Sequence, residues 1–153
     1  LSAGILPVRA TALTASPHQT PDDLLALPPA PGDGAVSTAR VDYTRISTLL
    51  VTIEVGVIQA TASVTCDANL NPVFAGSSQI ASLRINGVAV AVGSAPLTIP
   101  LVIGSLQLNS TTTTSTSVVQ RAFALDTALT DVVLGEAKAN IEPTEPGGSP
   151  CRV

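Results

Sequence analysis

The 153-residue chain is predicted to be all-β, an antiparallel β-sandwich or jelly-roll-like domain with an extended N-terminal arm. Apolar and small polar residues alternate over 57–65 and again over 80–85, which is the period of a strand with one buried face. Asn86-Gly87 then precedes Val88–Val92, and both turn residues tolerate the positive φ that a type I′ hairpin turn requires. The apolar residues are almost all Val, Ile, Leu and Ala, with three aromatic residues, a composition that suits sheets packed face to face.

The chain begins with a strand candidate followed by a long connection. Leu1–Ser16 carries the apolar residues of a strand, and Pro7 within it is tolerated at a strand start or a sheet edge. Pro17–Gly34 is rich in proline, and residues 20–27 inside it favour one or two helical turns. Because a connection of this length is unusual in a compact domain, the pattern indicates an arm on a tether.

We therefore divide the chain into an arm and Pro-rich linker, residues 1–34, and a β-sandwich domain, residues 35–153. Ser110–Ser117 contains only Ser and Thr and favours either a hydroxyl-rich strand edge or a loop. Asn109 begins a formal N-glycosylation sequon. The predicted strands of the domain are Ala35–Arg45, Ser47–Gly56, Val57–Asp67, Gln79–Ile85, Val88–Gly93, Leu97–Ile103, Ser105–Asn109, Thr116–Asp126 and Asp131–Ile141.

Charge and hydropathy exclude several functions. The chain has 7 basic and 11 acidic residues, a net charge of -4, and no basic run, so the sequence predicts no nucleic-acid partner. No apolar run approaches the ~20 residues of a membrane span, so no membrane insertion is predicted. The chain starts at Leu1 and contains no Met, which predicts a processed protein that is secreted and resides outside the cell or on its surface.

The two cysteines, Cys66 and Cys151, predict a disulfide in a secreted protein. On the chain-entropy model this bond would contribute on the order of 4 kcal/mol and would tie the C-terminal tail to a central strand. The alternatives are a metal thiolate and a catalytic thiol. Neither cysteine has a CxxC partner or a nearby His to support them.

No motif predicts a catalytic residue, a metal site or a cofactor. His18 is the only histidine, lies in the Pro-rich connection and is expected to be solvated. Residues 67–71 begin like a calcium loop, but Pro72 replaces the required Gly and Ser78 the bidentate Glu, so an Asx-rich turn is favoured. A carboxylate pair remains open from spacing alone, since four acids have no predicted position. These acids are Glu54, Asp126, Asp131 and Glu136.

Several segments of the chain form a recognisable set, namely Ala60–Cys66, Gly76–Gly87, Leu106–Asn109, Val118–Leu125, Asp131–Ile141 and the closing Cys151. Together these segments resemble the choice-of-anchor P family of secreted bacterial surface proteins. The chain departs from the family pattern after Asn109, where Ser-Thr stands in place of Glu-Gln. The resemblance implies export, a β-rich fold and residence at the cell surface, and it brings no catalytic residues.

The N-terminus carries the more specific hypothesis. An apolar, strand-like arm on a long tether is what strand addition to a neighbouring subunit requires, and head-to-tail addition generates filaments. The sequence thus predicts a non-enzymatic subunit of a bacterial surface filament, a homopolymer. The residues expected to form the joint are Ile5, Leu6, Val8, Ala10, Ala12 and Leu13. Two alternatives remain open: the arm pairs within its own domain, or the protein is a monomeric surface domain that binds a protein or glycan.

Overall fold

The structure, a computed structural model, describes residues 8–10, 13–20, 30–129, 131–141 and 151. These residues form an all-β fold in which every strand pairing is antiparallel. The strands are β1 (Val8–Ala10), β2 (Leu13–Thr20), β3 (Gly34–Val41), β4 (Thr44–Ser47), β5 (Thr52–Val55), β6 (Ile58–Cys66), β7 (Pro72–Ile80), β8 (Leu83–Ile85), β9 (Val88–Val90), β10 (Leu97–Leu101), β11 (Gly104–Thr113), β12 (Ser117–Thr127) and β13 (Asp131–Asn140).

The strands form three sheets. Sheet 1 has the order β1-β4-β5-β8-β9, sheet 2 the order β2-β3-β6-β7, and sheet 3 the order β10-β11-β12-β13. Sheets 1 and 2 share one continuous register: the β1–β4 pairing continues the β2–β3 pairing, and the β4–β5 pairing continues the β3–β6 pairing. They are therefore the two halves of four long strands joined as a meander. The four long strands cover residues 8–20, 34–47, 52–66 and 72–85.

The three long strands that the structure describes without a gap are interrupted at one row, which we call the crease. The crease consists of residues 42–43, 56–57 and 81–82, and its backbone groups still bond across strands, from Gly56 N to Ser82 O and from Ala81 N to Val57 O. The buried positions change parity there: even residues such as Ile58 and Ala60 are buried on one side, and odd residues such as Ile53 on the other. The buried side chains therefore change from one face of the strands to the other as the chain passes from sheet 2 to sheet 1.

Sheet 3 covers the inner face of sheet 2, with β13 over β3 and β6, and β12 over β6 and β7. The facing residues are small, including the buried Ala60, Ala62, Ala137 and Ala139, so Cα atoms of the two sheets come within 8 Å. This approach is closer than the roughly 10 Å that usually separates stacked sheets. Gly135 is required there, because a Cβ at this position would lie 2.7 Å from Ile58 Cγ2.

The all-β, sandwich-like prediction is confirmed, and the connectivity is that of two meanders. Consecutive long strands are neighbours in sheets 1 and 2, and β10 to β13 follow one another in sheet 3, so the described residues do not show jelly-roll crossovers. The Asn86-Gly87 turn is also as predicted, with φ of 52° and 79°. One continuous buried cluster, which includes Ile46, Ile53 and Phe123, joins the sheets.

Several element boundaries predicted from the sequence were wrong. Pro17–Gly34 was predicted to be a connection, but residues 17–20 belong to β2 and Gly34 to β3. His18 therefore lies in a strand, although its side chain is exposed as expected. The helical turn predicted from residue 20 is incorrect at Thr20, and the rest of it falls outside the described residues. Residues 72–78 were assigned to a loop and form most of β7.

Candidate functional site

The N-terminal segment and its acceptor form the candidate functional site. β1 and β2 both run antiparallel to residues 34–46 in one register, from Val8 opposite Ile46 to Thr20 opposite Gly34. We call residues 8–20 the arm and residues 34–46 the acceptor. The described part of the predicted arm thus pairs within its own chain, which was the alternative left open by the sequence.

The arm occupies the outermost position in both sheets. β1 is the end strand of sheet 1 and β2 the end strand of sheet 2. The acceptor is held from its other side by β6 and β5, with eight pairs between β3 and β6 and four between β4 and β5. These pairings do not involve the arm, so the acceptor strands keep one complete set of sheet hydrogen bonds when the arm is absent.

The connection from the arm to the acceptor is longer than any other in the fold. It covers residues 21–33, whereas the other connections between successive strands contain two to six residues. A two-residue turn suffices to join antiparallel neighbours. Thirteen residues can span up to about 45 Å, so the length of the chain permits the arm to reach beyond its own domain.

Main-chain pairing holds the arm more than side-chain burial does. Residues 14–18 of β2 are all exposed, and sheet 3 ends at β13 without covering β2. A shallow cleft of about 280 Å³ lies between these strands, lined by Pro17, Ala35 and Lys138 among others. The side chains of residues 14–18 therefore do not fill apolar pockets in the acceptor.

The predicted joint residues are only partly described. Val8 and Ala10 lie in β1 and Leu13 begins β2. Ile5, Leu6 and Ala12 lie outside the described residues. The arm is also longer than predicted, since β2 continues past Ser16 to Thr20. Proline normally marks a connection, but Pro17 is accommodated here because β2 is an edge strand.

Four of the six edge strands in the described sheets carry a residue that hinders further pairing, and β1 and β9 of sheet 1 do not. Pro17 lies in β2, Pro72 in β7 and Pro100 in β10, and Lys138, the only lysine, lies in β13. Proline has no N–H to donate and an edge lysine must be desolvated, so both oppose the addition of another strand. At these four edges, strand joining between copies therefore requires replacement of a strand that already pairs.

The predicted disulfide between Cys66 and Cys151 is present, with Cα atoms 5.3 Å apart. The connection from the arm to the acceptor ends beside this disulfide, because Gly32 N donates to Cys66 O and Cys66 N donates to Asp33 O. The bond therefore fixes the end of β6, the start of the acceptor and the chain near its C-terminus at one point. The metal-thiolate and catalytic-thiol alternatives do not apply to the oxidised pair.

The calcium-like loop is an Asx turn, as the sequence favoured. Asp67 Oδ1 accepts from the N–H groups of Asn69 and Asn71, both at 2.8 Å. The hydrogen bond from the Asn71 backbone is the main reason that the pKa of Asp67 lies below its ordinary value. Within the described residues, no three His, Cys, Asp or Glu side chains are grouped to hold a metal ion.

The four acids whose positions were open do not form a catalytic pocket. Glu54 pairs with Arg45 and Glu136 with Arg121, across neighbouring strands. The other two, Asp126 and Asp131, face each other on the exposed surface at the base of the β12–β13 turn. A hydrogen bond with Asp131, reinforced by its charge, raises the pKa of Asp126.

A buried polar network was missed by the sequence analysis. Gln120 Nε2 donates to Ser78 Oγ at 2.7 Å, Ser78 Oγ donates to Asn109 Oδ1 at 2.6 Å, and Asn109 Nδ2 donates to Gly93 O at 2.7 Å. Thr111 completes the network through Gln120 Oε1. Asn109 is 1% exposed, so its sequon cannot be glycosylated in the folded protein. The one feature of the sequence that could have indicated this network was the occurrence of single polar residues inside apolar runs.

A second cleft, of about 360 Å³, lies beside β7 under residues 92–94. Its lining includes Gln59, Gln79 and Ile80, and it contains neither a tyrosine nor a carboxylate. Tyr43, the only tyrosine, lies in the crease and is partly exposed. The tyrosine- and carboxylate-lined groove expected of a glycan-binding domain is not formed by these residues.

Comparison with known proteins gave no match to a family model, to a curated protein or to a solved structure. The resemblance to the choice-of-anchor P family therefore stays a prediction. The search for membrane-spanning helices in the described residues found none of sufficient length and hydropathy. The disulfide is compatible with an extracellular location.

Proposed function

We propose that this chain is a non-enzymatic structural subunit of an extracellular bacterial surface filament, joined head to tail by exchange of the arm. The observation that carries the proposal is the continuous register between residues 8–20 and residues 34–46, at the edge of both sheets. In the assembly the arm of one copy takes the place of the arm on the acceptor of the next copy. Because the sequences are identical, every arm–acceptor hydrogen bond of the monomer is made again between copies.

Two features of this fold favour exchange. The exposed side chains of residues 14–18 mean that little apolar surface is uncovered when β2 leaves the acceptor. The connection of residues 21–33 is long enough to cross to a neighbour. Each copy donates one arm and accepts one, which produces an open chain unless the rotation between copies closes it into a ring.

A monomeric surface domain is the second candidate, and one observation favours it. The arm already pairs with its own acceptor along two strands. A stable in-chain hairpin leaves no vacant edge for a neighbour. The partner of such a monomer would be a protein or a glycan.

A pair of engineered cysteines distinguishes the two candidates. Ser16 and Thr38 are register partners on the arm and the acceptor. In a Ser16→Cys/Thr38→Cys variant, oxidation joins the arm to whichever acceptor it occupies. We expect a ladder of covalent multimers on a non-reducing gel if arms are exchanged, and a single monomer band if they are not.

A matched pair controls for random cross-linking. Thr61 and Ser77 are register partners on β6 and β7, away from the arm. A Thr61→Cys/Ser77→Cys variant must give only the monomer band under the same oxidation. A ladder in this control as well would mean that the multimers arise from collisions. A monomer band in both variants would contradict the filament proposal.

A further inference from the structure

Among the described residues, the most exposed large apolar side chains lie in hairpin turns, or directly beside one, at one end of the molecule. Five side chains are 64% to 104% exposed, whereas all other exposed large hydrophobic residues are at 51% or less. The turns that carry them join β4 to β5, β8 to β9, β10 to β11 and β12 to β13. We call this set the apolar tips. Its members are Leu49, Leu50, Val88, Val102 and Leu129.

The tips share one end because sheet 1 and the adjoining half of sheet 3 both extend from the crease in the same direction. Gly135 of sheet 3 lies against Ile58, next to the crease, and Asn109 bonds to Gly93 at the same level. From there the strands of sheet 1 and the neighbouring halves of β10 to β13 extend together, and their buried residues belong to one cluster. The opposite end carries polar turns, residues 67–71 and 114–116.

In two of the tip turns, threonine side chains satisfy backbone donors. Thr48 Oγ1 accepts from the N–H groups of Leu50 and Val51, and Thr127 Oγ1 accepts from the N–H of Leu129. Backbone donors beside the exposed aliphatic side chains are thus satisfied inside the protein, as a lipid environment demands. The turn residues 48–51, 86–88, 102–103 and 128–129 contain no charged side chain.

Arginine residues lie directly behind two of the tips. Arg45 and Arg84 are exposed on the outer face of sheet 1, on either side of Glu54 in one register row. Arg9 occupies the next position of that row, opposite Arg45. Three of the seven basic residues of an acidic chain therefore share one row at this end. Cationic side chains behind apolar ones are the arrangement that attracts anionic lipid head groups.

We propose that the apolar tips insert into the interface of a lipid bilayer, with Arg45 and Arg84 contacting anionic head groups. The molecule then lies on the membrane through its tip end without crossing it. Four separate turns, each with one or two aliphatic residues, enter a fluid interface independently. Asp126 and Asp131 lie at the base of the turn that carries Leu129, so this tip contributes least on an anionic surface. The proposal does not depend on arm exchange.

A single tryptophan tests the proposal, because the chain contains none of its own. Leu49→Trp places the reporter on a tip, and Asn69→Trp places it on an exposed turn at the opposite end. With vesicles of phosphatidylcholine and phosphatidylglycerol, we expect a blue shift of Leu49→Trp emission and quenching by brominated lipid, and neither effect for Asn69→Trp. No shift of Leu49→Trp in excess lipid, or equal shifts at both positions, would overturn the proposal.

Binding variants add an independent measurement. Leu50→Asp should lower the vesicle partition coefficient at least about tenfold, since the burial of one leucine is lost. Arg84→Gln should weaken binding to anionic vesicles, with Arg40→Gln at the other half of the molecule as the matched control. A blue shift that needs no vesicles and grows with protein concentration would assign the tips to a second copy and refute lipid insertion.

Discussion

Asn109 offers the most informative single position in the fold. Its φ is 54°, in the left-handed region, and its buried side chain bonds to Ser78 Oγ and to the carbonyls of Gly93 and Ala95. Asn tolerates this conformation better than most residues with a side chain. Three substitutions therefore separate the contribution of the hydrogen bonds from that of the backbone.

Asn109→Gly keeps the conformation and removes the bonds. A buried group that loses its partner costs about 1 to 3 kcal/mol, so we expect a loss of about 2 to 4 kcal/mol in the free energy of unfolding. Asn109→Ala removes the same bonds and adds a left-handed residue with a Cβ, which costs about 1 kcal/mol more. Asn109→Asp directs a carboxylate at two carbonyls and should be the least stable of the three at pH 7.

Urea unfolding followed by circular dichroism measures this series. The dependence of the unfolding free energy on urea concentration should be the same for all variants, so that differences in urea midpoint report differences in stability directly. Asn109→Asp should recover stability relative to Asn109→Ala as the pH falls and the carboxyl becomes protonated. If Asn109→Ala were as stable as Asn109→Gly, the backbone explanation would be refuted. If all three matched the parent within about 0.5 kcal/mol, the network would contribute nothing.

Four further predictions concern stability. Replacing Cys66 and Cys151 by Ala should cost about 4.5 kcal/mol, from the loop of 85 residues, as measured by the shift in urea midpoint. Thr44→Val should stabilise by about 1 kcal/mol, because Thr44 Oγ1 is buried without a hydrogen-bond partner; a loss of stability in calorimetry would show that the hydroxyl is satisfied. Gly135→Ala should cost about 2 kcal/mol or more, since φ is 63° and Ile58 occupies the space; an unchanged melting temperature would contradict the close sheet approach. Asp67→Ala should be less stable than the parent at pH 7. Because the folded-state pKa of Asp67 is lowered, the difference should shrink as the pH falls below the ordinary value of 3.8 and vanish once the pH is below the lowered folded-state pKa; a constant difference would rule out the carboxylate as its source.

Local pattern was sufficient for most of the strands. Alternation predicted β6 and β13 within a few residues, and the Asn86-Gly87 turn was recognised from its backbone requirement. β7 was missed because its Pro, Gly and Ser residues are typical of loops. Gly76 and Ser78 are small because the side chain of Gln120 fills the space opposite, and this partner is 42 residues from Ser78 along the chain.

The candidate site was predictable only in part. A strand-like segment and a proline-rich tether identified the arm, but the length of β2 depends on its pairing with β3, which Pro17 obscured. The crease could not be predicted, because a change of buried parity looks like the end of one strand and the start of another. The apolar tips had no periodic signal, since they are distributed over four separate turns and the residue beside one of them.

The mass of the full chain in solution tests the filament proposal most directly. Light scattering and negative-stain microscopy should be applied to the full chain and to a chain lacking residues 1–20, whose acceptor remains held by β5 and β6. Circular dichroism must first show that the shortened chain is folded. We predict filaments whose mass grows with concentration for the full chain, and monomers for the shortened chain. Monomers for both at every concentration would contradict arm exchange and leave the monomeric surface domain.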